Sequence, residues 1–224
     1  MSTLKVNSIQ PLSGSAVAIT GFNSGIKGQS IFTGSGTWTK STREATLGVT
    51  IKQVIVEVQG AGGAGTKSTS GGNYNGGGGG GYARKLIDVS SISTSTITIG
   101  SGGVGSTSAN TKGTDGGDSI WSDGTNTITG FGGGAGEASG YEGGLGGAAT
   151  GGDLNVDGGI ARMDNQGGHT FLGFGAQTQY AASRADGLNG TLGGGGAGVY
   201  STYPSGTKAG DGGDGIVIVT EIAG

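Results

Sequence analysis

The chain has no cysteine, only two prolines and a single histidine, His169, in 224 residues. Without cysteine there is no disulfide framework and no thiolate zinc site. Collagen is excluded as well, because it needs abundant proline with glycine at every third position, and GFGGGAGEASGYEGGLGG at 130–147 keeps no such period. Long apolar runs are missing: no window approaches the roughly 18 residues of a spanning helix, and the opening MSTLKVNSIQPLSGSAVAIT lacks a signal-peptide core. A net charge of −3, from 12 basic and 15 acidic residues, supplies neither a basic patch for nucleic acid nor the basic face of a membrane-surface helix. The expectation is a soluble chain with no nucleic-acid partner and no membrane insertion. No serine sits in G-x-S-x-G, and neither H-E-x-x-H nor a paired-carboxylate frame stands out. We therefore expect no enzyme, no cofactor and no metal.

What the chain has is glycine. It supplies 58 residues and, with proline, about 27% of the sequence, a level that signals low complexity. Leu, Ile, Val and Phe make just under a fifth, yet the charge is too balanced for the usual disordered composition. Ordering each glycine costs about 0.5–1 kcal/mol more than alanine, a total of tens of kcal/mol against a typical net stability of about 5–15 kcal/mol. Such a bias survives in an ordered protein only where a Cβ is sterically forbidden. Extended polyproline-II-like segments packed side by side meet that condition, and the run at 76–81 then spans roughly 19 Å. These segments have no internal hydrogen bonds, so each buried N–H and C=O must pair with a neighbouring glycine segment.

Between the glycine tracts lie β-branched runs. Strands are expected in SIFTGSGTWTK (30–40), TIKQVIVEVQ (50–59), YARKLIDV (82–89), STITIG (95–100), NTITGF (126–131) and GIVIVTEI (215–222). Residues 1–27 read as two short strands around the turn PLSGS, with Leu4 and Val6, then Val17 and Ile19, alternating with polar residues. Helical periodicity is absent, apart from a turn or two at QYAASRADGL (179–188). The fold class is therefore all-β: a short N-terminal β arm (1–27), then a glycine-rich β-sandwich or polyglycine-II-like domain (28–224) with extended loops.

Several motifs are produced by the glycine bias itself. Gly60, Gly62 and Gly65 follow a strand in G-x-G-x-x-G spacing, as do Gly100, Gly102 and Gly105, but no helix follows either to meet a pyrophosphate. GAGGAGTKS (60–68) misses the phosphate-binding loop by one inserted threonine. The pairs Asp115 with Asp118, Asp153 with Asp157 and Asp211 with Asp214 lack the contiguous nonapeptides of calcium-binding repeats, and read instead as caps of tight glycine turns.

Aromatic and long polar side chains cannot be buried inside a glycine lattice, so their positions mark candidate recognition loops. These candidates are Tyr74, Asn75, Tyr141, Tyr200, Tyr203 and, in the long stretch 160–188, Arg162, Asn165, His169, Phe171, Phe174, Tyr180 and Arg184. Phe171, Leu172 and Phe174 equally suit a small core beneath that stretch.

The opening MSTLKVNSIQPLSGSAVAITG resembles the virion-attachment segment of bacteriophage tail-fibre proteins, and IFTGSGTWTK followed by TIKQVIVEVQGAGGAG resembles the start of their glycine-rich domain. GGGGGGYARKLIDVSS, TITIGSGGVG, GTDGGDSIW, ATGGDLNVDGG and GDGGDGIVIVTEI continue the likeness in order. One departure is that Trp38 leads into TKSTREATLGVT rather than W-x-x-P-x-G. The resemblance implies a phage adhesin in the virion, a homotrimer docked onto other tail proteins through Leu4, Val6, Ile9, Val17 and Ile19. Its loops would bind a bacterial surface glycan or outer-membrane protein, with 160–188 as the main receptor segment and 66–75 and 199–208 beside it. The alternative is a structural or ice-binding glycine-rich protein, which calls for regularly spaced Thr or Ala, a spacing absent along the sequence.

Overall fold

The computed structural model describes residues 24–69, 74–138, 142–161, 165–177, 186–200 and 207–224. Its strands are β1 (Gly25–Phe32), β2 (Gly36–Thr39), β3 (Ile51–Gln59), β4 (Lys67–Ser68), β5 (Tyr82–Asp88) and β6 (Thr94–Thr98). They continue with β7 (Ser119–Ser122), β8 (Thr127–Gly130), β9 (Ala149–Thr150), β10 (Leu154–Val156), β11 (Val199–Tyr200) and β12 (Ile216–Ala223). One sheet has the order β1-β12-β3-β5-β10 and a second β2-β6-β7-β8-β9, both antiparallel; β4 and β11 form a separate two-residue parallel pair. The fold is all-β, as the β-branched runs imply.

The two large sheets face each other over a core of side chains. Alternation places Val54, Val56 and Val58 of β3 inward with Ile87, Val217 and Val219, against Trp38, Ile97, Trp121 and Ile128 of the other sheet. Each such side chain contributes about 1.5–3 kcal/mol by leaving water. The two indoles meet at 5.7 Å, tilted by 52°.

One element departs from the sequence expectation. Residues Lys40–Leu47 form a helix, α1, where no helical periodicity was visible. None of its residues is buried, so it carries no apolar stripe to read. It is held instead by tertiary contacts: Arg43 Nε donates to Glu221 Oε1 at 2.8 Å, and the same fully buried carboxylate accepts from Ser30 Oγ at 2.6 Å. Gly48 ends the helix in the left-handed region (φ 67°) and donates its N–H to Glu44 O. The helical turn expected at 179–188 falls largely outside the described residues, and 186–188 is not helical.

The glycine tracts build the other half. In the segment 60–66, each third residue addresses the same neighbour, the period of a polyproline-II-type helix. Gly60, Gly63 and Thr66 donate to Gly81, Gly78 and Asn75; Ala61 and Ala64 to Gly117 and Thr114; Gly62 and Gly65 to Gly213 and Gly210, all at 2.8–3.1 Å. Its carbonyls accept from three further segments, through Gly133 and Gly136, Gly103, and Gly196. Six neighbours surround it, as in hexagonal packing. Segments 75–81 and 193–198 are surrounded in the same way and touch both it and each other. The remaining glycine segments ring these three.

Packing at this distance leaves no space for side chains. A Cβ on Gly62, Gly77 or Gly195 would overlap the carbonyl oxygen of Gly194, Gly63 or Gly77 respectively. Where a Cβ is accepted inside the lattice it is alanine, as at Ala61 and Ala64, both fully buried. The two G-x-G-x-x-G strings lie in this lattice, and the N–H groups of all six of their motif glycines are already hydrogen-bonded to protein neighbours.

Candidate functional site

The lattice segments run out from the sandwich and back, so the direction of each connection follows from the strands it joins. Segment 60–66 leaves β3 and 75–81 returns to β5, which puts 67–69 and Tyr74 at the end away from the sandwich. By the same reasoning 107–111 lies at that distal side, as do Asn165, Ala176, Asp186, Tyr200 and Thr207 at the ends of their lattice segments. Only the turns 170–173 and 191–193 lie near the sandwich: Thr170 N donates to Gly173 O, and Gly193 abuts Gln59 and Gly60.

At the distal end, Tyr74 and Tyr200 come together, with rings 5.7 Å apart and tilted by 45°. Tyr200 is 42% exposed and Tyr74 half-buried. Asn165 sits beside them, since its carbonyl accepts from Gly198 N at 3.0 Å. Its backbone is left-handed (φ 71°) and its buried Oδ1 has no hydrogen-bond partner. These three of the candidate residues share a place.

Other candidates are placed elsewhere. Asn75 is fully buried and donates through Nδ2 to Glu137 O at 2.8 Å, so it braces two lattice segments and is no surface contact. Phe171 lies in a sandwich-side turn, stacked at 4.2 Å on Tyr82 but still 56% exposed, so it covers that ring without being part of a core. His169 is not in a loop: its carbonyl accepts from Gly159 N at 2.8 Å within the lattice, and its Nδ1 accepts from Gly175 N at 3.3 Å. Phe174 meets His169 edge-on at 6.0 Å and is 73% exposed, on the lattice flank rather than beside the tyrosines. The described part of 160–188 is therefore not one loop, because 165–170 and 173–177 are lattice segments joined by a turn beside the sandwich. Tyr141, Arg162, Tyr180, Arg184 and Tyr203 lie outside the described residues, as do Leu4, Val6, Ile9, Val17 and Ile19.

Sequence reasoning passed over several distal residues. Lys67 is fully buried and donates to Thr107 O at 3.1 Å. Asn110, another left-handed residue (φ 55°), accepts at Oδ1 from Ser68 Oγ and Thr69 N, each at 3.2 Å. Lys112 pairs with Glu137 at 2.8 Å, and that hydrogen bond, aided by the Asp115 and Glu137 charges, holds the ammonium above its ordinary pKa. Their partners are dozens of residues away, so only Asn110, in a short polar turn, carried a local signal.

The aspartate pairs have a different task from the one expected. Asp115 and Asp118 accept from Ala135 N (2.7 Å) and Gly132 N (2.9 Å), and Asp211 and Asp214 from Gly105 N and Gly102 N (2.7 Å each). They cap the outward N–H groups of adjacent lattice segments rather than turns, and their spacing of three matches one segment repeat. Asp153 instead accepts from Leu86 N at 3.0 Å, which holds its carboxyl below the ordinary value. Among the described residues no cluster of His, Asp or Glu could hold a metal ion, and no helix is long and apolar enough to cross a membrane.

Regularly spaced threonine, absent along the chain, is present across the second sheet, where Thr37, Thr96, Ser122 and Thr127 pair in register on its outer face. This was invisible in the sequence because the row crosses four separate strands.

A family profile described as a glycine-rich domain matches residues 33–221. Comparison with curated proteins finds no match.

Proposed function

The chain belongs to the glycine-rich domain family, and from that premise we propose that it is a bacteriophage tail-fibre adhesin that recognises a bacterial surface glycan or outer-membrane protein. One observation carries this reading: at the end of the lattice away from the sandwich the described residues bring Tyr74, Tyr200 and Asn165 together. Recognition surfaces are commonly made of loops on a stiff scaffold. The tyrosines offer apolar faces, Tyr200 being the more exposed of the two. Residues 1–27 attach the chain to other tail proteins as a homotrimer, and several copies per particle raise avidity where single contacts are weak. No bond is broken in this role.

The test is saturable binding of the labelled protein to bacterial cells, repeated after periodate oxidation of surface glycans and after protease treatment. Loss of binding after one treatment identifies the receptor class. Replacing Tyr74 and Tyr200 together by alanine is expected to weaken binding by about tenfold or more. Unchanged binding by the double variant, or no binding to any strain, sinks the reading.

A structural or ice-binding role is the second reading, and the threonine row favours it. Adjacent strands rotate by about 20–25°, so four strands turn the row through roughly 60° or more. The row is therefore not the flat lattice that ice would require. Measurable thermal hysteresis would reverse that order.

A further inference from the structure

The two outer faces of the sandwich differ in chemistry. The second sheet turns Thr37, Thr94, Thr96, Thr98 and Thr127 to water, as expected of an antiparallel sheet with one solvated face. The first sheet turns out isoleucine and leucine as well, set among Gln29, Gln53, Glu57, Arg84 and Asp88 on the same face. The register puts Ile26 beside Ile222, Ile31 beside Ile218, and Ile55 beside Leu86, all on the side away from Val54, Val56 and Val58. Ile26 is 69% exposed, Ile31 61% and Leu86 49%. An apolar patch of this kind, on a protein whose sister face is polar, marks a covered surface.

We propose that the cover is the chain's own N-terminal segment, residues 1–23. The segment runs directly into β1, an edge strand of this sheet, so it starts at the rim of the patch. Fully extended at about 3.3 Å per residue, its 23 residues reach roughly 75 Å, whereas the five strands, about 4.8 Å apart, are roughly 19 Å wide. The segment is long enough to cross the face and return. Its chemistry fits as well. Leu4 and Val6, then Val17 and Ile19, fall on alternate positions, so that laid out extended each stretch has one apolar side, and Lys5 is the segment's one charged side chain. With the apolar side on the sheet, Lys5, Asn7 and Ile9 face outward. The proposal does not depend on receptor binding at the distal end; it assigns Leu4, Val6, Val17 and Ile19 to this face instead of to tail docking, and leaves the outward side with Ile9 for tail proteins.

The absence of cysteine makes the test clean, because an introduced pair supplies the chain's thiols. Leu86→Cys is combined in turn with Val6→Cys and Val17→Cys in the full chain, and oxidised at low protein concentration. Leu86 lies three strands in from the rim, so an arm merely extending the sheet at β1 cannot reach it. At least one pair is expected to form a disulfide within a single chain, at least ten times faster than a Val17→Cys, Thr96→Cys control aimed at the polar face. A second readout is trypsin cleavage after Lys5, expected to speed up about tenfold in Leu86→Lys, a variant at an exposed site that should fold normally. A disulfide found only between chains overturns the proposal in favour of a second copy as the cover. Equal rates for pair and control, or cleavage unaffected by Leu86→Lys, also overturn it. Cell binding is measured on the same variants, and its loss or retention speaks only to the adhesin reading.

Discussion

The sandwich and the glycine lattice both have dry interiors, but they exclude water by different means. Around Trp38 and Trp121 the space is filled by side chains, and the backbone hydrogen bonds lie within each sheet. Around 60–66 there are almost no side chains, and the backbone itself fills the space, successive residues bonded to different neighbours and every third to the same one. The first interior gains from burying hydrocarbon, while in the second close backbone contact and complete pairing of N–H with C=O must offset the added cost of ordering glycine. The lesson is one of tolerance: a side-chain core accepts some change of volume, whereas a backbone core has none to give.

The sharpest break in this comparison is a single added methyl. Gly77→Ala places a Cβ onto Gly63 O, where only backbone could move. Its cost is expected to exceed the usual overpacking penalty of about 1–3 kcal/mol, whereas Gly34→Ala, with open space around it, should stay within about 0.5 kcal/mol. In the sandwich, removing an entire indole by Trp121→Ala is expected to cost about 3–5 kcal/mol, so one carbon added in the lattice should rival nine atoms removed from the core. Denaturant midpoints of the three variants decide this, and Gly77→Ala unfolding like wild type would end the comparison.

Next comes the ion pair that fastens α1. Arg43→Met leaves the buried Glu221 carboxylate with only its neutral donors, Ser30 and Trp38. A loss of about 2–3 kcal/mol is expected, with no change in binding at the distal end.

A smaller effect depends on pH. Burial, then the hydrogen bond to Glu57 (2.5 Å), raises the Tyr82 pKa above the ordinary value of 10.0. The stability this contributes is whole below about pH 10 and is lost as the pH rises further, because the unfolded chain ionises first. The melting temperature of Tyr82→Phe should therefore fall less steeply than that of wild type above pH 10. Smallest of all is Asp211→Ala, which removes the acceptor of the Gly105 N–H and the ion pair with Lys208 and should cost about 1 kcal/mol.

How far the sequence could be read follows the same division. β3 and β12 were plain because β-branched residues recur in short runs, and the lattice was plain because nothing else explains so much ordered glycine. Lys40–Leu47 was not legible, since its helix depends on Glu221, far away in the chain. Nor was the burial of Asn75: beside a glycine run it resembles a loop residue, and its partner Glu137 belongs to another segment. The stretch 160–188 read as one loop because its lattice bonds, such as Gly168 N to Gly77 O, join residues remote in sequence. Local composition announces that a segment is extended, but not where it is embedded. Tyr74 and Tyr200 lie against each other, and nothing in their spacing revealed that they touch.

The threefold repeat of the glycine segments also governs how such a chain can change. Deleting one or two residues from 75–81 would turn every following residue by a third or two thirds of a revolution, handing each N–H to the wrong neighbour. Deleting three restores every pairing and shortens the rod by about 9 Å. Length variation inside the lattice is thus written in triplets of amino acids and must be matched in the adjoining rods. The distal connections obey no such rule.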